Sequence, residues 1–145
     1  MPWASSSSRR RSWRTRLLLA LTAPLVLSAC SAGDRDLPAP YRRVEVPSAR
    51  LDSAAARERG RAQFLAHCAL CHGERGDGHG VRREDLAVPP RDFTDAQWQR
   101  KTTPRRIYYT IHEGVHGTPM PRWSIFEPGE VWDLVAYVRT LGRAR

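Results

Sequence analysis

Cys68-Ala69-Leu70-Cys71-His72 decides how the rest of the chain is read. Two thiols stand three positions apart, so a single turn of chain brings both to one side. An imidazole follows at once. C-x-x-C-H is the attachment motif of c-type haem. The thiols of Cys68 and Cys71 add to the vinyl groups of one haem and form thioethers. His72 is then held beneath the iron, where its nitrogen serves as the proximal ligand. Neutral imidazole suits this task because it binds metal strongly near neutral pH. Other readings of the pentad carry less. A redox C-x-x-C is expected beside a β-α-β pattern, which is absent. Zinc needs four ligands; His67, His79 or His112 would have to complete the set, since there is no second C-x-x-C. A plain disulfide is open to an exported protein. The haem reading joins the motif, export and a thin core in one account.

A c-type haem iron has a sixth position, and whether it is filled separates carrier from enzyme. The chain has two methionines, and Met1 leaves with the signal described below, so Met120 is the one thioether on offer. It lies in Gly117-Thr118-Pro119-Met120-Pro121, 52 residues after Cys68. Prolines on both sides stiffen a loop that must press a weakly donating sulfur against iron. His79, His112 and His116 are the other candidates for this position. Met120 as distal ligand leaves iron no place for substrate. The expected activity is then one-electron transfer, either as a free shuttle or as the carrier subunit of an oxidoreductase complex, and not catalysis. The alternative is an open or labile sixth site serving an enzyme subunit or gas sensor. A further reading is a lipoprotein without haem, held by zinc or a disulfide.

Around the pentad the patterning is helical. Asp52 or Ser53 suits the cap of a helix running through Ala54 to about Cys68, with Gly60 and Phe64 on one face. Thr103 and Pro104 open a second helix that ends at Gly114, with Ile107, Tyr108 and Ile111 facing inward. Pro128 opens a third, in which Val131, Leu134, Val135, Val138 and Leu141 form an apolar stripe closed by Gly142. Between Gly73 and Pro90 glycine and proline are so frequent that loop is expected. The expected fold is all-α: short helices and long loops wrapped around one covalently bound haem. Loops this long in a small domain need something to wrap around. Leu70, Leu86, Ile107, Ile111, Trp123 and Val138 are candidates for the apolar wall.

The N-terminus reads as an address. Arg9, Arg10, Arg11, Arg14 and Arg16 precede an apolar run of 11 residues, Leu17–Leu27, too short to span a bilayer, and Leu27-Ser28-Ala29-Cys30 follows. This ending has the form of a lipobox, so residues 1–29 are expected to be a lipoprotein signal and Cys30 the lipidated first residue of the mature chain. Residues 30–51 then read as a tether; Pro38, Pro40 and Pro47 interrupt it, and it would reach at most ~70 Å if extended. Residues 52–145 form one domain. Tyr41, Val44 and Val46 make partial docking of the tether plausible. The 145-residue chain carries a net charge of +9, yet five basic residues and no acid fall in the signal; the remainder has 19 basic and 15 acidic groups, a surplus of 4. A nucleic-acid partner is therefore not expected. Arg105, Arg106 and Arg122 are candidates for a cationic ring that steers an acidic partner.

These residues resemble the class I, mitochondrial-cytochrome-c-like family, in its bacterial lipoprotein form, over about residues 54–142. Gly60, Phe64, Cys68, Cys71 and His72 match the family's first helix and haem motif, and Leu134 and Tyr137 its last helix. The resemblance implies that the two helices cross, the glycine letting the backbones approach and the two aromatics packing there. It places Met120 in the distal-ligand loop. It gives to the carbonyl of Pro89 or Pro90 a hydrogen bond from the proximal imidazole. It sets Pro90-Arg91-Asp92-Phe93-Thr94 and Trp98 near the haem propionates, and Gly76-Asp77-Gly78-His79-Gly80 as a turn. The function it implies is single-electron transfer between respiratory or periplasmic redox partners, such as a membrane oxidase, a reductase or a quinol-oxidising complex. The expected location is the bacterial cell envelope, at the periplasmic or outer face, with a lipid anchor on Cys30.

Overall fold

The computed structural model describes residue 1 and residues 32–142. The signal segment and Cys30 lie outside the described residues. Among those described, all regular structure is helical and no strand occurs. In chain order the helices are α1 (Ala39–Arg42), α2 (Ser48–Asp52), α3 (Ala54–His67), α4 (Ala69–His72), α5 (Ala96–Lys101), α6 (Pro104–Glu113) and α7 (Pro128–Leu141), with 3-10 turns at Ala32–Asp34 and Arg83–Asp85.

The long helices begin where their sequences provide caps. The Ser53 hydroxyl accepts from Ala56 N at the start of α3. At the start of α6, Thr103 accepts from Arg106 N. In α7, Pro128 occupies the first turn and the Glu130 side chain accepts from Glu127 N at 2.9 Å. Each cap satisfies a backbone donor that the first turn would otherwise leave unpaired.

α3 and α7 meet backbone to backbone. A Cβ on Gly60 would stand 1.9 Å from Asp133 O and 2.5 Å from Asp133 C, so only glycine permits this approach. Beside the contact Phe64 is 1% exposed and packs on Tyr137 at 5.3 Å between ring centroids. α7 is buried nearly all round: Val131, Leu134, Val135, Val138 and Leu141 are joined by Trp132, Asp133 and Ala136. The reason is its position, in contact with α2, α3 and α6.

Asp133 is 1% exposed and is the anchor of a charged staple. Arg50 of α2 donates to its two oxygens at 2.7 and 3.0 Å, and Arg59 of α3 at 2.7 and 3.2 Å. Burial pushes the carboxyl pKa up, but the hydrogen bonds from Arg50 and Arg59 outweigh it and leave it below the ordinary aspartate value. A depressed folded-state pKa means that this contribution is whole above the ordinary aspartate pKa and is lost as pH falls from there through the lower folded-state value.

The segment read as a tether is a packed strap. Leu37 is 2% exposed, and Tyr41, Val44, Val46 and Leu51 lie against the core. Asp34 accepts from Thr103 and pairs with Arg105 at 3.3 Å, and Arg105 Nε donates to Val44 O at 2.7 Å. The prolines that suggested a linker start helices instead: Pro38 and Pro47 precede α1 and α2, and Pro40 stands in the first turn of α1.

Gly60→Ala is expected to destabilise the folded holoprotein by about 3 kcal/mol or more, because the new methyl meets backbone that no rotamer change can move. Chemical denaturation followed by far-UV circular dichroism checks this, and an unchanged midpoint would place the helix contact elsewhere.

Candidate haem site

α3 ends at Cys68, whose N–H still bonds Phe64 O at 2.8 Å. One further turn, α4, carries Cys71 and His72. Both thiols are free and half-buried. Burial, and secondarily the neighbouring Cys71, push the Cys68 thiol up to about 12. A redox-active dithiol needs the opposite shift, toward thiolate. Among the described residues no three His, Cys, Asp or Glu side chains converge as a metal cluster of that type. The zinc and dithiol readings therefore gain no support.

His72 is fixed from two sides. Its Nδ1 donates to the carbonyl of Arg91 at 3.1 Å, and its ring stacks on Phe93 at 4.5 Å with planes 22° apart. A carbonyl can only accept, so Nδ1 carries the proton and Nε2 keeps its lone pair. Burial holds the imidazole below the ordinary histidine pKa, with the bond to Arg91 acting against it. The side chain is thus neutral and oriented, as a metal ligand must be. The acceptor is neither Pro89 nor Pro90 but Arg91. The reason lies in the chain path: Phe93 N bonds Gly76 O at 2.7 Å, and Asp92 takes Thr94 N at 2.7 Å, which turns the Arg91 carbonyl inward. Nothing in the order of residues distinguishes three successive carbonyls.

Phe93 links this site to the helix contact. Its ring lies 6.1 Å from Phe64 and 5.3 Å from Trp98. Trp98 thus packs in the core flank. The loop after the pentad is laced to it: Gly78 N bonds His72 O at 2.8 Å, Gly80 N bonds Cys71 O at 3.1 Å and Arg82 N bonds Leu70 O at 2.9 Å.

Met120 lies on a closed loop. Gly114 ends α6 with φ +70°, and Val115 N bonds Met120 O at 3.1 Å. A cavity of about 400 Å³ opens beside it, walled by Val115, Thr118 and the Glu113–Arg122 ion pair among others. The other candidates for a distal ligand divide. His79 bonds the Asp77 carbonyl at 2.9 Å, and His112 Nδ1 lies 2.9 Å from Tyr41 Oη and 3.0 Å from Glu113. His116 is exposed on the wall of the same cavity as Met120.

Of the expected apolar wall, Ile107 and Val138 belong to the protein's own core, while Leu70 is 54% exposed. Val81, Val88, Val115 and Ile125 are exposed as well. Leu70 lies within the pentad, Val81 stands between two residues whose amides bond back to it, and Val115 bonds Met120 O, so exposed apolar side chains flank both the pentad and the Met120 loop and ask for a cover. Trp123 Nε1 is buried and finds no acceptor among the described residues. Two free thiols on one turn, an oriented imidazole, an uncovered apolar face and a buried orphan donor fit a haem. The arginines of the expected cationic ring each have a carboxylate partner: Arg105 pairs with Asp34, Arg106 with Asp36 and Arg122 with Glu113.

The cytochrome c family model matches residues 57–142. The chain belongs to the cytochrome c family, as a class I monohaem member with one covalently bound haem c, and the matched region is an electron-transferring domain of small all-α cytochrome fold. Among curated relatives, the cbb3-type cytochrome c oxidase subunit FixP of Azorhizobium caulinodans is 36% identical over 92 residues, which cover 63% of this chain and 29% of that protein. Subunit CcoP of the same oxidase type in Azospirillum brasilense is 31% identical over 94 residues, covering 64% and 31%. A cytochrome c-553-like protein of Synechocystis sp. is 35% identical over 86 residues, covering 58% and 68%. The chain thus spans less than a third of the two oxidase subunits. In structure, a chain of the reducing HAO-like protein complex of Kuenenia stuttgartiensis is similar with TM-score 0.55 and 26% identity, over 61% of this chain and 44% of that one.

Phe93→Ala removes the ring between Phe64 and His72. It is expected to destabilise the holoprotein by about 3 kcal/mol and to broaden the proximal imidazole resonances in NMR of the reduced protein. Sharp, unshifted His72 signals would show that the stacking does not fix the ring.

Proposed function

We propose that this protein is a membrane-anchored monohaem cytochrome that carries single electrons between redox protein partners at the periplasmic or outer face of a bacterial envelope. In this reading Cys68 and Cys71 hold the haem as thioethers, His72 is the proximal iron ligand and Met120 the distal one. The observation that carries it is His72, whose Nδ1–H is committed to Arg91 O at 3.1 Å one residue beyond two free thiols. When bound, the haem supplies a one-electron couple between ferrous and ferric iron, and a His/Met ligand pair favours a relatively high potential. The chain supplies the rest. The bond to the Arg91 carbonyl sets the orientation and basicity of the imidazole. Leu70 and Val81 on the pentad side, with Val115 on the Met120 loop, would keep water from a neutral centre and disfavour the extra ferric charge. The relatives named as cbb3-type oxidase subunits support an oxidase-type partner.

The anchor is Cys30, at the end of its lipobox sequence. Only Ser31 and Ala32 separate it from Gly33, which lies against Lys101 and Thr103. Three chain steps span at most ~11 Å. A lipid on Cys30 would therefore hold the domain close to the bilayer, not at the end of a long tether. No helix among the described residues is long and apolar enough to cross a membrane.

Met120→His is expected to lower the reduction potential, and Met120→Ala to let carbon monoxide bind the ferrous protein; unchanged potentiometry and no carbon monoxide spectrum would remove Met120 from the iron. Cys30→Ser is expected to release the protein from membranes or leave it unprocessed, as read by fractionation and mass spectrometry. A processed, membrane-bound Cys30→Ser variant would contradict lipidation.

A further inference from the structure

The family model matches from residue 57, so the strap lies before the matched region. One side chain of the strap reaches the Met120 loop through a short chain of contacts. Tyr41 of α1 packs edge-on against Tyr109 of α6 at 4.8 Å, which holds its hydroxyl over the end of that helix. There the hydroxyl donates to Glu113 Oε1 and lies 2.9 Å from His112 Nδ1. The other oxygen of Glu113 accepts from Arg122. Glu113 is the last residue of α6, and Arg122 stands two residues beyond Met120.

This carboxylate therefore spans the neck of the loop that carries Met120. The neck is also tight in the backbone. A Cβ on Gly114 would meet Met120 O at 2.7 Å and Arg122 N at 2.8 Å, so the returning loop segment lies directly on the helix end. Inside the loop, Met120 N bonds the Thr118 hydroxyl at 3.2 Å and Thr118 bonds Val115 O at 2.8 Å. The loop thus has its own internal bonds, but its side-chain attachment to α6 goes through Glu113 and Arg122. A thioether is a weak neutral donor. Its contact with a metal depends on how firmly the loop is held, more than contact by an imidazole would.

We propose that Glu113, held from behind by Tyr41, is the positioning residue of the Met120 loop, so that the N-terminal strap sets how firmly the distal ligand is presented. This rests on the reading of Met120 as that ligand. The strap is also the segment nearest Cys30, and it connects the anchored end of the chain to the distal side of the site.

The test uses the holoprotein and imidazole as a competing ligand for ferric iron. Glu113→Gln keeps the size of the side chain and removes the charge that holds Arg122. Tyr41→Phe keeps the ring on Tyr109 and removes the hydroxyl. Wild type is expected to show the long-wavelength charge-transfer band of methionine-ligated ferric haem. Both variants are expected to bind imidazole about tenfold more tightly than wild type, equivalent to about 1.4 kcal/mol. In the Glu113→Gln background Tyr41→Phe should add little, because both act through one carboxylate. Loss of global stability alone, with imidazole affinity within about twofold of wild type in both variants, overturns the inference and leaves Met120 in place. A wild type without the methionine band overturns the reading of Met120 and this inference together.

Discussion

The approach of α3 to α7 at Gly60 governs the rest of the molecule. With the Asp133 carbonyl occupying the space where a side chain would stand, the two helices share one plane of contact. The stripe of α7 then closes on Phe64, and Cys68 sits one turn beyond Phe64 on the same helix. A mid-helix glycine costs about 1 kcal/mol relative to alanine in an isolated helix. Here that cost is offset by backbone-level packing, by the burial of Phe64 and by the Arg50–Asp133–Arg59 staple that stands at the same crossing. The staple does not compete with the apolar contact. Both guanidinium groups reach in from the partly exposed flanks of α2 and α3, so only the carboxylate is fully withdrawn from water, and four hydrogen bonds replace its hydration.

From this contact an aromatic line runs to the site. Tyr137, Phe64, Phe93 and His72 succeed one another at 5.3, 6.1 and 4.5 Å. Each ring is held by the one before it, so the orientation of the imidazole is set by the packing of two helices and not by the pentad alone. The loop from Gly73 to Asp92 closes the other side. It has little regular structure of its own, yet its amides bond back to His72, Cys71 and Leu70. A stretch rich in glycine therefore acts as a frame around the pentad, because close approach to backbone carbonyls is what small residues allow.

How much of this was legible follows from the range of each signal. Caps, stripes and the pentad are local patterns, and Ser53, Thr103, Pro128 and the pentad stand where the sequence places them. The buried stripe on α7 was readable, but not the burial of Trp132, Asp133 and Ala136 on its other sides, which depends on neighbours far along the chain. The choice of Arg91 over Pro89 or Pro90 depends on a turn around Asp92 that composition does not specify. In sequence the strap has the composition of a linker, because proline marks both linkers and helix starts. What separates the two is whether nearby apolar residues find a partner: Leu37 is buried, and Leu51 packs against the core cluster of α3, α6 and α7.

The arginines show the same limit in electrostatic form. Counted along the chain they look like a surplus available for steering partners. In the fold, Arg50 and Arg59 hold Asp133, Arg105 and Arg106 hold the strap through Asp34 and Asp36, and Arg122 holds Glu113. A guanidinium does this better than an ammonium, since its planar fork engages both oxygens of a carboxylate, as both arginines do at Asp133. The chain has 23 arginines and one lysine. At Arg50 and Arg59 the preference has a mechanical reason, since each fork ties its helix to α7 through both oxygens of Asp133. A charge paired with a carboxylate of the same chain contributes little net field outside, because the two members cancel beyond about a Debye length.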